Sequence, residues 1–583
     1  MKIRISVWLF VIVMIISGCK TRMKTEYTGS SLNGAIVYSD DSVSLIRIIQ
    51  SAQDFSVQHL VLSGELINRL SDLRDSVCSA NIQRWIGMAK QRGINAVSLS
   101  HDLLSPDDDY PASVKLNDSL IAFSQKEFWT WLRNEYSDLL KHCNGADGFV
   151  VNMFNARNPL LLQYSVNNIA MLVDSVTTYL SAGLTKKVIL RLNYSSPDER
   201  QMALKVLRSV SVSQLIVIER EVPGKSFLTF PVSEIASKIP FPVLIEFDCI
   251  HTNSGQGVLA SIFPSVMLKR LRYYQTLSNV IGYMAMVDRP GSSGIIGTPA
   301  SLNLYTLKAG WDDREAGVDK ILDQYITTYY GLNAIPHLKP VFKSAVEIIQ
   351  SSLYTLGIPS CVNSSFDFEH EPNYSVNIPG RWMDVPVVVI RHGVNKEFNY
   401  WSDVIQHLAP ARYKMDNALM AKEVALVKRK RWVDSTSQIN IEYLNYIVKE
   451  KNYAVQLSEE AMNKIVGAKQ IIADSVAFAT LYQMFYRTYL TTKLYRSAAK
   501  AYFGYRIYFS NETFRNPGLK ATIAEGLTEL RDVLAIMRIY PYKGIAGEYN
   551  WANDIVTGSE YYKKITRTGW AEYGPAMAID DEY

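Results

Sequence analysis

"PVLIEFDCIH", residues Pro242 to His251, begins as an unbroken apolar run and then places two carboxylates two positions apart, Glu246 and Asp248, with His251 just beyond. A strand that is apolar throughout is one buried on both faces, as in a parallel sheet covered by helices. Side chains alternate across a strand, so Glu246 and Asp248 share a face. An unpaired carboxylate in a dry core is costly. Two of them at the end of a buried strand therefore ask for a charge partner or a wet site.

Working outward, the same grammar recurs. Short β-branched runs stand at Ala35–Tyr38, His59–Leu62, Ala96–Leu99, Gly148–Met153, Lys187–Leu192, Leu215–Ile218, Val243–Cys249 and Val280–Met286. Helical periodicities separate many of them, at Asn81–Gln91, Gln125–His142, Val166–Ser181, Glu199–Val210 and Leu259–Leu277. Strand and helix in alternation imply parallel pairing through right-handed crossovers. Eight strands over this length predict an α/β fold, a (β/α)8 TIM-type barrel spanning 33–331. The first strand is open to a second assignment, as part of a small N-terminal element. No glycine-rich phosphate loop follows any strand, which argues against a nucleotide-binding domain.

Beyond Gly331 the character changes. Pro336–Leu356 reads as a helix and 357–385 as a loop-rich stretch. Leu419–Arg431, Ile439–Val448, Glu459–Tyr486 and Leu519–Ile539 carry apolar positions at three- and four-residue spacing. The expectation is a C-terminal, mostly helical domain over 332–583, ending in an irregular tail from Tyr540.

Polar groups gather at the C-terminal ends of five successive strands. They are Asn152; Arg191 and Asn193; Glu219 and Glu221; Glu246 and Asp248, with His251; and Asp288 and Arg289. Barrel enzymes build their sites at that end. The plainer alternative is a set of structural ion pairs, Arg191 with Glu219 or Glu246. The chemistry a mouth of this kind suits is glycoside cleavage, which needs one protonated and one ionised carboxyl. A gap of about 5–5.5 Å between them gives retention, and about 6.5–9.5 Å gives inversion. Glu221 with Asp248, or Glu246 with Asp288, are both open as catalytic pairs. Asn152, Arg191, Asn193, Glu219, His251, Arg289 and Trp311 are candidate substrate-binding residues.

Bulk properties narrow the partners. In 583 residues the net charge is +5, with 48% hydrophobic and 20% charged residues, so no basic surface suggests nucleic acid. The 35 Tyr and 10 Trp suit either a large core or stacking on sugar faces, and carbohydrate is the expected partner. Of the five cysteines, the four beyond Cys19, namely Cys78, Cys143, Cys249 and Cys361, lack metal-ligand spacing, so neither a metal nor another cofactor is expected. Residues 1–19 pair a basic start, Lys2 and Arg4, with an apolar run too short to span a bilayer, closed by Ile16-Ser17-Gly18-Cys19. This resembles the lipobox of a bacterial lipoprotein. It predicts lipidation at Cys19, a flexible tether over 20–32, membrane contact through the anchor alone, and placement in the cell envelope at the outer membrane.

Several stretches, in order, resemble the α-glucuronidases of glycoside hydrolase family 67. They are "GFVVNMFNARNP" from Gly148, "KKVILRLNYSSPDER" from Lys186, "QLIVIEREVPGKSF" from Gln214, "FPVLIEFDCIHTNSGQG" from Phe241, and the helical segment from Gly294 to Gly331. In the last, Leu304-Tyr305 and Gly310-Trp311-Asp312 keep the family's spacing. The resemblance covers about a third of the chain and implies a (β/α)8 barrel with a glycan cleft and a helical C-terminal domain. The family's catalytic carboxylates do not carry over: their places fall on Ala156, near Lys225 or Ser226, and near His251 or Thr252. Asn152 stands where the family has a lysine. Any acid here must come from Glu221, Glu246, Asp248 or Asp288. The alternative is a non-catalytic glycan-binding lipoprotein on a decayed barrel.

Two further motifs lie C-terminal. "IRHGVNKEFNYW", Ile390 to Trp401, can complete a sugar subsite or form an interdomain contact. "KRKRW", Lys428 to Trp432, reads as a solvated helical face.

Overall fold

The computed structural model describes residues 32–567 except 64–65, 68–73, 103–114, 118–119, 122–124, 154–163, 195–196, 223–227, 229–230, 290–293, 356–357, 360, 363, 367–440, 511–514 and 541–548. Cys19, residues 155–157 and 225–226, Ile390–Trp401, the helix expected over Leu419–Arg431 and the Lys428–Trp432 run lie outside the described residues.

Eight parallel strands close into a barrel. They are β1 (Leu32–Val37), β2 (His59–Leu62), β3 (Ala96–Asp102), β4 (Gly148–Asn152), β5 (Lys187–Arg191), β6 (Ile216–Arg220), β7 (Val243–Asp248) and β8 (Val280–Met286), with β1 paired to both β2 and β8. Leu32–Val37 is thus a full barrel strand and not a separate N-terminal element. Its closure onto β8 is tight: a Cβ on Gly282 would lie 1.9 Å from the carbonyl oxygen of Leu32, so only glycine fits there.

Helices α1 (Ser42–Gln50), α2 (Ser76–Gln91), α3 (Lys126–His142), α4 (Val166–Thr178), α5 (Pro197–Ser209), α6 (Pro264–Gln275) and α7 (Ser301–Asp312) cover the outside. Asp41 and Asp75 start α1 and α2 by accepting backbone N–H groups of the first turn, and Ser165 starts α4 in the same way. Among the described residues the crossover from β6 to β7 carries only a 3-10 turn, Ala236–Lys238. The helix expected from Leu259 begins at Pro264, because residues 249–263 form a long loop anchored elsewhere.

After α8 (Val318–Tyr330), the part beyond Gly331 is helical, as its periodicity implies: α9 (Ile335–Leu353), α10 (Ile441–Gly467), α11 (Ser475–Ser510) and α12 (Pro517–Ile539); α13 (Tyr549–Arg567) is a helix where an irregular tail was expected. The single helix expected over Glu459–Tyr486 is instead the end of α10 and the start of α11. The break falls after Gly467, where Asp474 caps the new helix through the N–H groups of Val476 and Ala477. Between α11 and α12 a Cβ on Gly526 would meet the Ala501 backbone nitrogen at 2.6 Å, so the two helices cross in close backbone contact. Lys451, fully buried, donates to the carbonyls of Ser351 and Ser352 at 2.9 and 3.0 Å and to that of Tyr354, satisfying the open end of α9.

The loop following β7 is where barrel and helices meet. Ser254 hydrogen-bonds Tyr354, Gly255 N–H donates to Ser364, and Ala260 N–H donates to Thr488, at 2.7, 2.7 and 2.8 Å. Arg487 donates to the Val258 carbonyl at 2.9 Å. Among the described residues no helix is long and apolar enough to cross a membrane.

Candidate active site

Alternation decides which side chains reach the barrel interior. Ile36, Val61, Val150, Ile189, Ile218, Leu244 and Met284 form one apolar layer inside the strands. Their neighbours Val151, Leu190, Val217, Ile245 and Ala285 belong to the core between strands and helices. Further along six of the strands the interior turns polar, with Tyr38, Asp102, Asn152, Arg191, Arg220 and Glu246, and Asp248 one step beyond on β7; β8 keeps an apolar Met286 there. Register places Asp102 beside Asn152, Asn152 beside Arg191, and Arg220 beside Glu246.

Within this layer the groups answer one another. Asn152 donates its amide to Asp102 at 3.0 Å. Arg191 grips Glu246 with two parallel bonds, Nε to Oε2 at 2.5 Å and Nη2 to Oε1 at 2.6 Å, and also donates to the Tyr38 hydroxyl. Arg220 stands 3.8 Å from the same carboxylate. Burial by itself would raise the Glu246 carboxyl, but the charge and hydrogen bonds of Arg191, aided by Arg220, hold it below its ordinary value. Burial pushes the Tyr38 phenol up to about 12 despite the arginine beside it.

Asp248 differs. Its Oδ2 accepts the N–H of Thr252 at 2.9 Å, while its buried Oδ1 has no protein partner. Burial, reinforced by the nearby Glu221, pushes its carboxyl up to about 7 against the Thr252 bond. Thus one face of β7 carries a carboxylate held ionised and, two residues on, a carboxyl that is half protonated near neutral pH.

Other expected site residues are placed elsewhere. Glu219 and Glu221 do share a face, but it is the outward one, since they alternate with the inward Ile216, Ile218 and Arg220. Glu219 accepts from Tyr194 and Ser233, both at 2.5 Å, and burial raises it to about 7. Glu221 pairs with Arg270 of α6 at 3.2 Å and accepts the Asp248 N–H at 3.1 Å, and burial raises it. Glu221 is thus engaged by Arg270 and by the Asp248 N–H, beside Asp248 at the ends of β6 and β7 instead of across the mouth from it. Asp288 accepts the N–H groups of Tyr38 and Ser39 at 2.7 and 3.1 Å, so both its oxygens serve barrel closure. Trp311 packs edge-on against the outward Tyr283 at the C-terminal end of α7, in the helical layer and away from the mouth. His251 is buried against Phe263 with φ 54°, and burial followed by the Arg270 charge drives it well below its ordinary value, keeping it neutral. Asn193 and Arg289 are half-buried just past β5 and β8.

Tyr38, Asp102 and Arg220 were not among the sequence candidates. Asp102 lies one inward step past Ser98 and Ser100, in a strand that runs three residues beyond the end its apolar character suggests. Arg220 is the inward residue between the two conspicuous glutamates.

A closed parallel barrel with a polar, charge-paired mouth and a helical C-terminal part defines the class. Comparison with solved structures finds the fold elsewhere, the first of the matches below sharing it. A GH138 enzyme targeting pectin rhamnogalacturonan II has 11% sequence identity and a TM-score of 0.55, over 96% of this chain and 68% of that one. An O-GlcNAc hydrolase of Thermobaculum terrenum has 12% identity and a TM-score of 0.41, over 96% of this chain and 98% of that one. The protein CpGH84D has 9% identity and a TM-score of 0.42, over 91% and 75%. No family profile matches the sequence, and no curated protein matches it.

Proposed function

We propose that the chain is a glycoside hydrolase of the envelope, acting on a polysaccharide or oligosaccharide through Glu246 and Asp248. The observation that carries this reading is their contrasting surroundings on one inward strand face: Glu246 is gripped by Arg191, whereas Asp248 is buried with one oxygen unbonded. Environments that push two carboxyls apart assign the acid and the base. Asp248, near 7 and with an oxygen to spare, is the proton donor to the departing glycosidic oxygen. Glu246, kept ionised by Arg191, faces the charge that develops on the sugar ring. Tyr38 and Arg220 flank the pair and supply a ring face and hydrogen-bond donors for hydroxyls. Pectic glycans, the target of the GH138 enzyme with the shared fold, are the first substrates to offer. Kinship with α-glucuronidases and a lipid on Cys19 holding the protein at the outer membrane belong to the same proposal; Cys19→Ala should release the protein into the soluble fraction.

The test is turnover. Asp248→Asn and Glu246→Gln should fold and bind glycan yet lose release of reducing ends by about 100-fold or more. Full hydrolysis by both variants would overturn the assignment. A second reading, favoured by the two-bond grip of Arg191 on Glu246, is a glycan-binding barrel without turnover. It expects calorimetric binding of oligosaccharide that Arg191→Met weakens, with no reducing ends from any glycan.

A further inference from the structure

Outside the mouth, the structure brings two of the five cysteines to one spot on the barrel's flank. Cys78 lies in the first turn of α2, half-buried, and Cys143 follows the end of α3, fully buried. Their sequence neighbours are bonded to each other: Ser79 Oγ donates to the His142 carbonyl at 3.0 Å, and Gln83 donates to the same oxygen. Further along α2, Ile86 meets Gly145, where an added Cβ would lie 3.2 Å from it, and Lys90 donates to the Gly145 carbonyl at 2.8 Å. The turn after α3 therefore runs along α2, and Cys78 shares its side of α2 with Ile82 and Ile86 at four-residue spacing. Both cysteines pack into the same core. Burial, then the charge of a Cys78 thiolate, pushes the Cys143 thiol up to about 11.

We infer that Cys78 and Cys143 form a disulfide when the protein meets a disulfide donor, clamping the start of α2 to the end of α3. Half-exposed Cys78, as thiolate, attacks one sulfur of the donor RSSR, forming a mixed disulfide and expelling one RS⁻. Cys143 gives up its proton and attacks the Cys78 sulfur, expelling the second RS⁻. The two protein thiols are oxidised by two electrons, and the donor is reduced to two thiols. The order follows from access and from the high Cys143 value, which makes it the poorer first nucleophile. Cys78 itself donates weakly to the Leu66 carbonyl at 3.6 Å, a contact it gives up on oxidation; Cys361 donates to the Asn253 carbonyl and Cys249 follows the end of β7, each on another part of the chain.

The experiment uses the full chain, reduced and then exposed to oxidised glutathione, with alkylation and peptide mapping. The expected product is a Cys78–Cys143 cross-linked peptide and a melting temperature above that of the reduced protein. Cys78→Ser should abolish both, while Cys249→Ser and Cys361→Ser should leave the cross-link in place. Because a polar side chain at buried Cys143 can impair folding, Cys143→Ala serves as the second arm and should leave Cys78 as a stable glutathione adduct. Alkylation of both cysteines after treatment, or a glutathione adduct on Cys78 with Cys143 still reduced in the unmutated chain, would overturn the inference.

Discussion

Glu246 and Asp248 are chemically alike, two residues apart, and driven in opposite directions. Arg191 and Arg220 favour the charged form of the first, and burial without a compensating cation favours the neutral form of the second. The same physics makes a stability prediction. The folded Asp248 and Glu219, both raised to about 7, keep protons that the unfolded chain releases near its ordinary carboxylate pKa. Their contribution is complete below that pKa and is lost as pH climbs through the folded value. Melting temperature should accordingly fall from about pH 4 to about pH 8, and Asp248→Asn should flatten that slope. An unchanged slope in the variant would refute the raised value. At this scale the sequence announces charges but not their partners. Arg191 with Glu246 was one of two pairings it left open. Asp102 and Tyr38 went unmarked because one polar residue at a strand end is ordinary; only register puts Asp102 beside Asn152, and only barrel closure brings Tyr38 across to Arg191.

Strand β6 shows what an element adds to its residues. Alternation tells that Glu219 and Glu221 face together, but not whether they face in or out, because Ile216, Ile218, Val217 and Leu215 are equally apolar. The structure resolves this through α6, whose Arg270 meets Glu221 with both side chains almost wholly buried. Removing one partner of a buried ion pair strands the other, so Arg270→Ala should cost about 3–5 kcal/mol in denaturant unfolding. Glu221→Gln should destabilise less and keep whatever glycan turnover the wild type has, in contrast to Asp248→Asn. Loss of turnover in a well-folded Glu221→Gln protein would return that residue to the catalytic set. The strands themselves were legible because each is a short β-branched run, with β2 and β8 matching their expected limits. Helix limits were less so: the periodicity of Leu259–Leu277 runs through a loop whose apolar residues are buried by contacts distant in sequence.

Across the whole molecule, barrel and C-terminal helices share one core: Met462, Ile465, Leu481 and Phe485 belong to the same buried cluster as Leu60, Phe149 and Phe247. The loop after β7, which follows Asp248 directly, is bonded to Tyr354, Ser364, Arg487 and Thr488. Hydrogen exchange should find the amides of residues 254–260 protected together with those of α11, opening in one cooperative step. Earlier exchange of the loop alone would show that the helices do not steady it. The helical character of this region was readable from spacing, whereas its grip on the loop was not, since that depends on single hydroxyls meeting loop groups a hundred or more residues away.

The Asp288 carboxylate takes the N–H of Tyr38 across a sequence separation of 250 residues. During synthesis the first strand consequently leaves the ribosome with one of its two lateral partners still untranslated, and it waits with an open edge until β8 emerges. Early ordering must then rest on neighbouring strand–helix units, with the ring sealed only near the end, so a nascent chain halted before residue 280 would offer β1 as a sticky border to chaperones or to other copies of itself.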